Sequence, residues 1–247
     1  MNRSPRVAVF RPDDDRLRDA VALLDGLDAT PIPDPMLAVD PTGATPADAD
    51  YVVLTSKTGV ELAAEAGWTP GDAVLCAIGE ATAAAARDAG WTVDRIPEEF
   101  SSTGMVALLA DDVEGARVEV ARSDHGSDVL LDGLRDAGAD VHETVLYRLV
   151  RPEGSGESAE AAARGDLAGA AFTSSLTVEH FLDAAAECGV REQAVAGLNE
   201  AVVGAIGEPT RRTAERHGVD VDVVPERADF EALARAVVAA VKESAAT

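Results

Sequence analysis

Six short stretches of this chain place glycine or hydroxyl residues where a helix should begin. They are Thr55-Ser56-Lys57, residues 79–82 (with Gly79 and Thr82), Ser101-Ser102-Thr103-Gly104, Arg122-Ser123, Thr173-Ser174-Ser175, and residues 207–210 (with Gly207 and Thr210). Unpaired backbone N–H groups at a helix start, supplemented by hydroxyls, favour an anion. Serine and threonine are also ordinary helix caps, so one such site alone says little. Six of them point to a ligand with several carboxylates or phosphates. One other side chain stands out. Tyr147, one of only two tyrosines with Tyr51, closes an alternating run of strand character. Its phenol could donate a proton in a cleft, and it reads equally well as a half-buried strand tyrosine.

Other catalytic equipment is sparse. The chain has no G-x-G-x-x-G, no phosphate loop ending in Gly-Lys-Ser/Thr and no G-x-S-x-G elbow. Gly154-Ser-Gly lacks a preceding strand, so no nucleotide cofactor is expected. His125, His142, His180 and His217 lie on separate elements, and none pairs with a cysteine at metal-ligand spacing. They read as surface or helix-end histidines, and no metal is expected. An enzyme built from this set positions its substrate more than it attacks it.

The elements that must carry these residues come in copies. Val74-Leu-Cys-Ala-Ile-Gly-Glu-Ala-Thr is repeated as Val202-Val-Gly-Ala-Ile-Gly-Glu-Pro-Thr. Each continues into a helix-forming run, a glycine, a second β-branched run and a proline, Pro97 or Pro225. Tyr51-Val-Val-Leu-Thr-Ser returns as Gly169-Ala-Ala-Phe-Thr-Ser, and Leu23-Leu-Asp-Gly-Leu returns as Leu130-Leu-Asp-Gly-Leu. The repeating unit reads strand–turn–helix–strand, half of a parallel α/β layer. About ten strands, each feeding a helix, predict two parallel sheets of about five strands. Ligands of such sheets bind outside the carboxyl ends of the strands, where all six stretches fall. Taken alone, the repeat divides the chain near Asp112. Residues 34–50 read as a linker and surface turn, and Glu153-Gly-Ser-Gly-Glu-Ser as a loop tip.

Composition narrows the partners. The 247 residues carry 45 acidic and 21 basic side chains, a formal charge of −24, with Lys57 and Lys242 the only lysines. An acidic surface this even, and this poor in lysine, resembles the proteins of salt-accumulating halophiles, where ionic strength screens self-repulsion. No basic stripe exists to neutralise nucleic acid phosphates. No apolar run approaches the ~20 residues needed to cross a bilayer. A strand at Val7 leaves no room for a signal peptide. Cys76 and Cys188 read as two buried thiols of a cytoplasmic protein.

Several of these motifs, in this order, resemble the uroporphyrinogen-III synthase family. They are Phe10-Arg-Pro, Leu54-Thr-Ser-Lys-Thr-Gly-Val-Glu, Ala77-Ile-Gly-Glu-Ala-Thr, and Pro97 with Ser102-Thr-Gly. Ala121-Arg-Ser, Gly138-Ala-Asp-Val with Val145-Leu-Tyr-Arg, Phe172-Thr-Ser-Ser and Ala205-Ile-Gly-Glu-Pro-Thr continue the match. A halophilic, archaeal member is the corresponding expectation. The resemblance implies two flavodoxin-like α/β domains joined by a two-stranded linker. It assigns 1–35 plus 149–247 to one domain and 36–148 to the other, in place of a cut near Asp112. It implies cyclisation of the linear tetrapyrrole hydroxymethylbilane to uroporphyrinogen III, with inversion of ring D and loss of water, by a monomer without a cofactor.

Carried over residue by residue, the resemblance makes Tyr147 the proton donor to the leaving hydroxyl. Thr82 and Thr210 would lie beside the substrate, and Ser56, Thr173 and Ser175 would bind its acid arms. Arg11, Lys57 and Arg122 are expected near the rim. Two departures stand out: Glu208-Pro209 precede Thr210, and Asp229 replaces the usual Ser/Thr before the last helix. The competing reading is a non-catalytic two-domain protein that binds a polycarboxylate small molecule.

Overall fold

The structure is a computed structural model that describes residues 4–245. In chain order its first elements are β1 (Arg6–Phe10), α1 (Asp15–Gly26), β2 (Thr30–Pro33), β3 (Ala38–Pro41), β4 (Tyr51–Leu54), α2 (Lys57–Glu65), β5 (Val74–Ala77) and α3 (Glu80–Asp88). The middle holds α4 (Ser102–Leu109), β6 (Arg117–Ser123), α5 (Asp128–Asp136) and β7 (Asp140–Val150). Then come α6 (Glu157–Ala163), β8 (Gly169–Phe172), α7 (Ser175–Glu187), α8 (Arg191–Asn199), β9 (Val202–Ala205), α9 (Glu208–Arg216) and α10 (Phe230–Ser244). They form two compact units, Met1–Ala38 with Val150–Thr247, and Val39–Leu149.

The first unit holds a four-stranded sheet in the order β2-β1-β8-β9, with every pair parallel. Its strands are short apolar runs because helices cover both faces. Alternation along β1 sends Val7 and Val9 to the layer of α1 and α10, and Ala8 and Phe10 to the opposite layer. There Phe10 stacks on Phe172 with centroids 4.5 Å apart, and Phe181 meets both rings edge-on. Three of the chain's five phenylalanines are thereby spent on one core.

The second unit holds five strands in the order β3-β7-β6-β4-β5. β4 pairs in parallel with β5 and β6, and β6 with β7. Its two apolar layers are again divided by strand alternation, Val52 and Leu54 facing one and Val53 the other.

The sequence repeat is reproduced hydrogen bond by hydrogen bond. Leu75 N donates to Asp94 Oδ2 and Val203 N to Asp222 Oδ2, both at 2.8 Å. Ala77 N reaches Arg95 O and Ala205 N reaches Val223 O, at 3.0 and 2.9 Å. Each copy ends in one parallel bridge, Cys76 to Arg95 and Gly204 to Val223. These bridges stop short of full strands, and the described residues form nine strands. The copies are nevertheless divided between units. β1 pairs with β8 and β4 with β6, so each sheet takes strands from both repeats, and the chain is not cut near Asp112.

Three local expectations need correction. The segment 34–50 is not all surface: Asp34 is 2% exposed, and β3 lies within it. The carboxylate of Asp34 accepts from Gly156 N at 3.0 Å and Ser158 N at 2.9 Å, and also from the Ser158 hydroxyl. That contact pins residues 153–158, expected as a loop tip, against the first unit. Ser158 is fully buried, and Gly156 adopts φ +126°, a conformation that favours glycine. Cys76 is buried, but Cys188 is exposed because α7 ends beside it.

Candidate functional site

Three helices of the second unit begin at the carboxyl edge of its sheet, each with a serine cap. Ser56 Oγ accepts from Gly59 N at 3.0 Å, Ser101 Oγ from Gly104 N at 3.0 Å, and Ser127 Oγ from Val129 N at 3.3 Å. Between them lies a cavity of ≈ 400 Å³. Seven expected residues line it: Thr55, Ser56, Ser101, Ser102, Arg122, Ser123 and Tyr147. The rest of its wall is Ile78, Phe100, Gly126, Ser127 and Leu130. None of these twelve is acidic, in a chain where 45 of 247 residues are. A larger cavity of ≈ 560 Å³, lined by residues 69–74, 90–92 and 94, opens at the start of β5 and includes Asp72 and Asp94. It is at the amino end of the strand, where parallel sheets rarely bind ligands.

Tyr147 owes its position to a bulge. Along β6 and β7, Arg122 faces Val145, but Ser123 faces Tyr147, so Leu146 is the extra residue. Leu146 and Tyr147 therefore share one core, although neighbours on a regular strand point to opposite faces. Thr42 holds the bulge, its N donating to Leu146 O and its hydroxyl to Val145 O at 2.7 Å.

The Tyr147 ring is 7% exposed, and its hydroxyl lies 3.0 Å from Ser56 Oγ. The hydrogen count is informative. Tyr147 and Ser56 bring two hydroxyl hydrogens, and one is consumed within the pair. The N–H of Gly59 fills a second acceptor position on Ser56. With the Tyr147 hydroxyl and Gly59 N both donating to Ser56 Oγ, the pair holds one more hydroxyl hydrogen than it consumes, and both residues line the cavity.

Arg122 is committed elsewhere. Its side chain is 5% exposed and its Nε lies 2.6 Å from Glu143 Oε1. Nη1 donates to Ser127 O at 2.6 Å, and Nη2 lies 3.6 Å from Asp128 Oδ1. It fastens the 124–127 loop to the sheet and reaches the cavity as an already neutralised guanidinium. Lys57 is exposed and paired with Glu61 one helical turn on, at 3.4 Å. Gly79 caps α3 with extended backbone, while Thr82 is 4% exposed. Thr103 points to solvent from the first turn of α4. None of Lys57, Gly79, Thr82 or Thr103 lines the cavity.

The first unit repeats the cap chemistry. Ser174 caps α7 in a capping box with Thr177, the Thr173 hydroxyl donates to Phe10 O at 2.7 Å, and that of Ser175 to Pro209 O at 3.2 Å. Gly207 caps α9, and Thr210 is 3% exposed, so neither it nor Thr82 offers much surface to a ligand. The Arg11 guanidinium lies 4.8 Å from the centroid of the Phe230 ring; burial, then the nearby Arg16 charge, lowers its pKa. Among the described residues no group of three or more His, Cys, Asp or Glu could hold a metal ion. No helix among them is long and apolar enough to cross a membrane.

The family model described as Uroporphyrinogen-III synthase HemD matches residues 18–235. The chain belongs to the uroporphyrinogen-III synthase family. A protein of Methanothermobacter thermautotrophicus, provisionally named uroporphyrinogen-III synthase, is 35% identical over 187 residues, covering 72% of this chain and 73% of that one. Among solved structures, a mutant uroporphyrinogen III synthase of Thermus thermophilus matches with TM-score 0.68 at 21% identity, over 97% of this chain and all of that one. Uroporphyrinogen-III synthetase of Helicobacter pylori gives TM-score 0.58 at 15% identity, over 97% and 99%. At those identities the structural matches speak for the fold, two parallel-sheet α/β units.

Sequence reasoning did not single out Ile78, Phe100, Gly126, Ser127 or Leu130. Ser127 carried a legible signal, a serine after glycine and before a helical run. Phe100 carried another: aromatics make up 4% of the chain, and this one directly precedes a capping serine.

Proposed function

We propose that this chain cyclises hydroxymethylbilane to uroporphyrinogen III, and that the Tyr147–Ser56 pair delivers the proton that lets the terminal hydroxyl leave as water. The observation that carries this reading is the hydrogen-bonded Tyr147–Ser56 pair, with one hydroxyl hydrogen to spare, in the wall of a cavity without an acidic lining residue. Transfer of that hydrogen, as a proton, to the departing oxygen releases water and leaves an azafulvenium cation. Ring D attacks it at its substituted carbon to form a spiro-pyrrolenine, which fragments and recloses with ring D inverted. Loss of a proton from the reclosed ring restores aromaticity and balances the proton first given, so the net change is loss of water.

The cavity size supports a division of labour. Ligand pockets run from ~300 to ~1,000 Å³, so ≈ 400 Å³ suits one pyrrole with its two acid arms rather than the whole tetrapyrrole. Serine hydroxyls and the N–H groups beside them act on those arms at contact range, where the −24 charge of the chain does not overrule them. In molar salt the Debye length shrinks to ~3 Å, and the remaining surface is screened. In the first unit the cap residues Thr173, Ser174, Ser175 and Gly207 offer the same contact chemistry to an acid arm. The protein acts as a monomer: among the described residues only Val39, Phe100, Val129 and Val224 are exposed large apolar side chains.

The test is isomer composition. Purified protein is given hydroxymethylbilane in molar potassium chloride, the product is oxidised, and isomers I and III are separated. Predominance of isomer III is expected. Isomer I alone, at the rate of a protein-free control, would leave a polycarboxylate-binding protein and refute the enzyme reading.

A further inference from the structure

Phe100 is 64% exposed, the highest value among the exposed large apolar side chains of the described residues, and it stands in the wall of the cavity that holds Tyr147 and Ser56. Water contact at a phenylalanine ring forgoes much of its burial energy, so the position calls for a reason. The architecture does not supply one, because the sequence repeat contains an internal control. The turn before α4 has Ser101 N donating to Glu99 O at 2.7 Å, and the turn before α10 has Asp229 N donating to Arg227 O at 2.8 Å. The caps correspond as well, Ser101 Oγ with Gly104 N and Asp229 Oδ1 with Ala232 N. In that matched frame Phe100 corresponds to Ala228. The same turn therefore forms without the ring.

The ring is also held in place. A Cβ on Gly79 would lie 3.2 Å from Phe100 Cγ and 3.3 Å from its Cβ, so the phenylalanine rests against bare backbone. At Gly207, the equivalent glycine, such a carbon would meet only Pro209 Cδ at 3.9 Å. One copy of the repeat thus combines an exposed ring, a glycine it leans on, and a cavity with hydroxyls and no lining acid. An aromatic face at such a lip matches a flat π-system bearing polar arms, which describes a substituted pyrrole.

We infer that Phe100 is a substrate-positioning residue, the platform on which one pyrrole ring of the linear tetrapyrrole stacks beside the Tyr147–Ser56 pair. The inference rests on the proposed function and assigns a contact within it. Stacking of this kind holds substrate and transition state alike, so it acts on KM rather than kcat.

Phe100→Ala, Phe100→Leu and Phe100→Tyr are compared with the unaltered chain for KM, kcat and isomer composition on hydroxymethylbilane. Thermal melting confirms that the exposed site leaves folding intact. Aromatic stacking predicts a KM for Phe100→Ala raised ~3- to 10-fold with kcat within about twofold. Phe100→Tyr restores the KM, Phe100→Leu does not, and Gly79→Ala, which displaces the ring, shifts KM the same way. An unchanged KM in Phe100→Ala, or full restoration by leucine, overturns the platform while leaving the synthase reading intact. An unaltered chain that forms no isomer III removes the synthase reading and the platform with it.

Discussion

Removing the two cavity hydroxyls separately and together tests the proposed chemistry most directly. Tyr147→Phe keeps a ring that is 7% exposed in the same hole. It deletes one hydrogen bond, so the stability cost is about 1 kcal/mol. Ser56 keeps its bond from Gly59 N, and its own hydrogen, freed from the pair, can still face the cavity. An aliphatic hydroxyl is a weaker acid than a phenol. The expected fall in kcat is therefore partial, on the order of tenfold, or about 1.4 kcal/mol. Ser56→Ala frees the phenol to donate directly, lowering kcat only about threefold while costing about 1 kcal/mol of stability through the lost cap. The double variant has neither hydrogen and should lose a hundredfold or more, the range of a missing general acid at ~10² to 10⁴. That loss exceeds the product of the single effects. The assay is single-turnover conversion of hydroxymethylbilane with isomer analysis, alongside circular dichroism. A folded double variant within threefold of the unaltered chain would show that the pair delivers no proton and that positioning alone carries the reaction.

Three further outcomes follow from other parts of the structure. Asp34→Ala strands two backbone N–H groups and a buried hydroxyl, and should cost about 3–5 kcal/mol in urea unfolding; Asp34→Asn, which keeps an acceptor oxygen, should cost less. A change under 0.5 kcal/mol would mean that residues 153–158 are not held by this carboxylate. Cys76 is buried and Cys188 exposed, so a thiol reagent should modify one cysteine in native protein and two in denatured protein; burial also pushes the Cys76 thiol up to about 12 from an ordinary 9.0. Because the folded value is the raised one, Cys76 stabilises the fold fully below pH 9.0. That contribution is lost as pH climbs towards about 12, a decline that Cys76→Ala should reduce in melting curves. Finally, raising potassium chloride from 0.1 to 2 M should raise the melting temperature of a chain with net charge −24, because screening shortens a Debye length of ~10 Å severalfold. A flat or falling curve would count against salt adaptation.

Local signals in the sequence were legible because the physics behind them is local. A serine with a helical run behind it caps that run whatever surrounds it, and Ser56, Ser101 and Ser174 do so. The duplicated Ala-Ile-Gly-Glu phrase fixed a strand, a turn and a helix in each copy, down to the carboxylates of Asp94 and Asp222 accepting equivalent bonds. The match to the synthase family, and with it the fold, also lay in motifs that could be read along the chain. Arg122 shows the boundary of such reasoning. Its place after a strand was visible, but its three partners were not, since Glu143 comes from the neighbouring strand.

What the sequence determined by itself is the set of parts: apolar strands, caps, a repeat and an acidic surface, each specified within a few consecutive residues. Tertiary structure decided how the parts combine. Pairing of β1 with β8 and β4 with β6 shares the repeats between two sheets, a choice made by contacts between residues far apart in the chain. The same holds for Asp34 on Gly156 and for Thr42 on the Leu146 bulge. That bulge turns Tyr147 towards Ser56, ninety-one residues away. A strand's alternation cannot reveal it, because an inserted residue is defined only by the register of the partner strand.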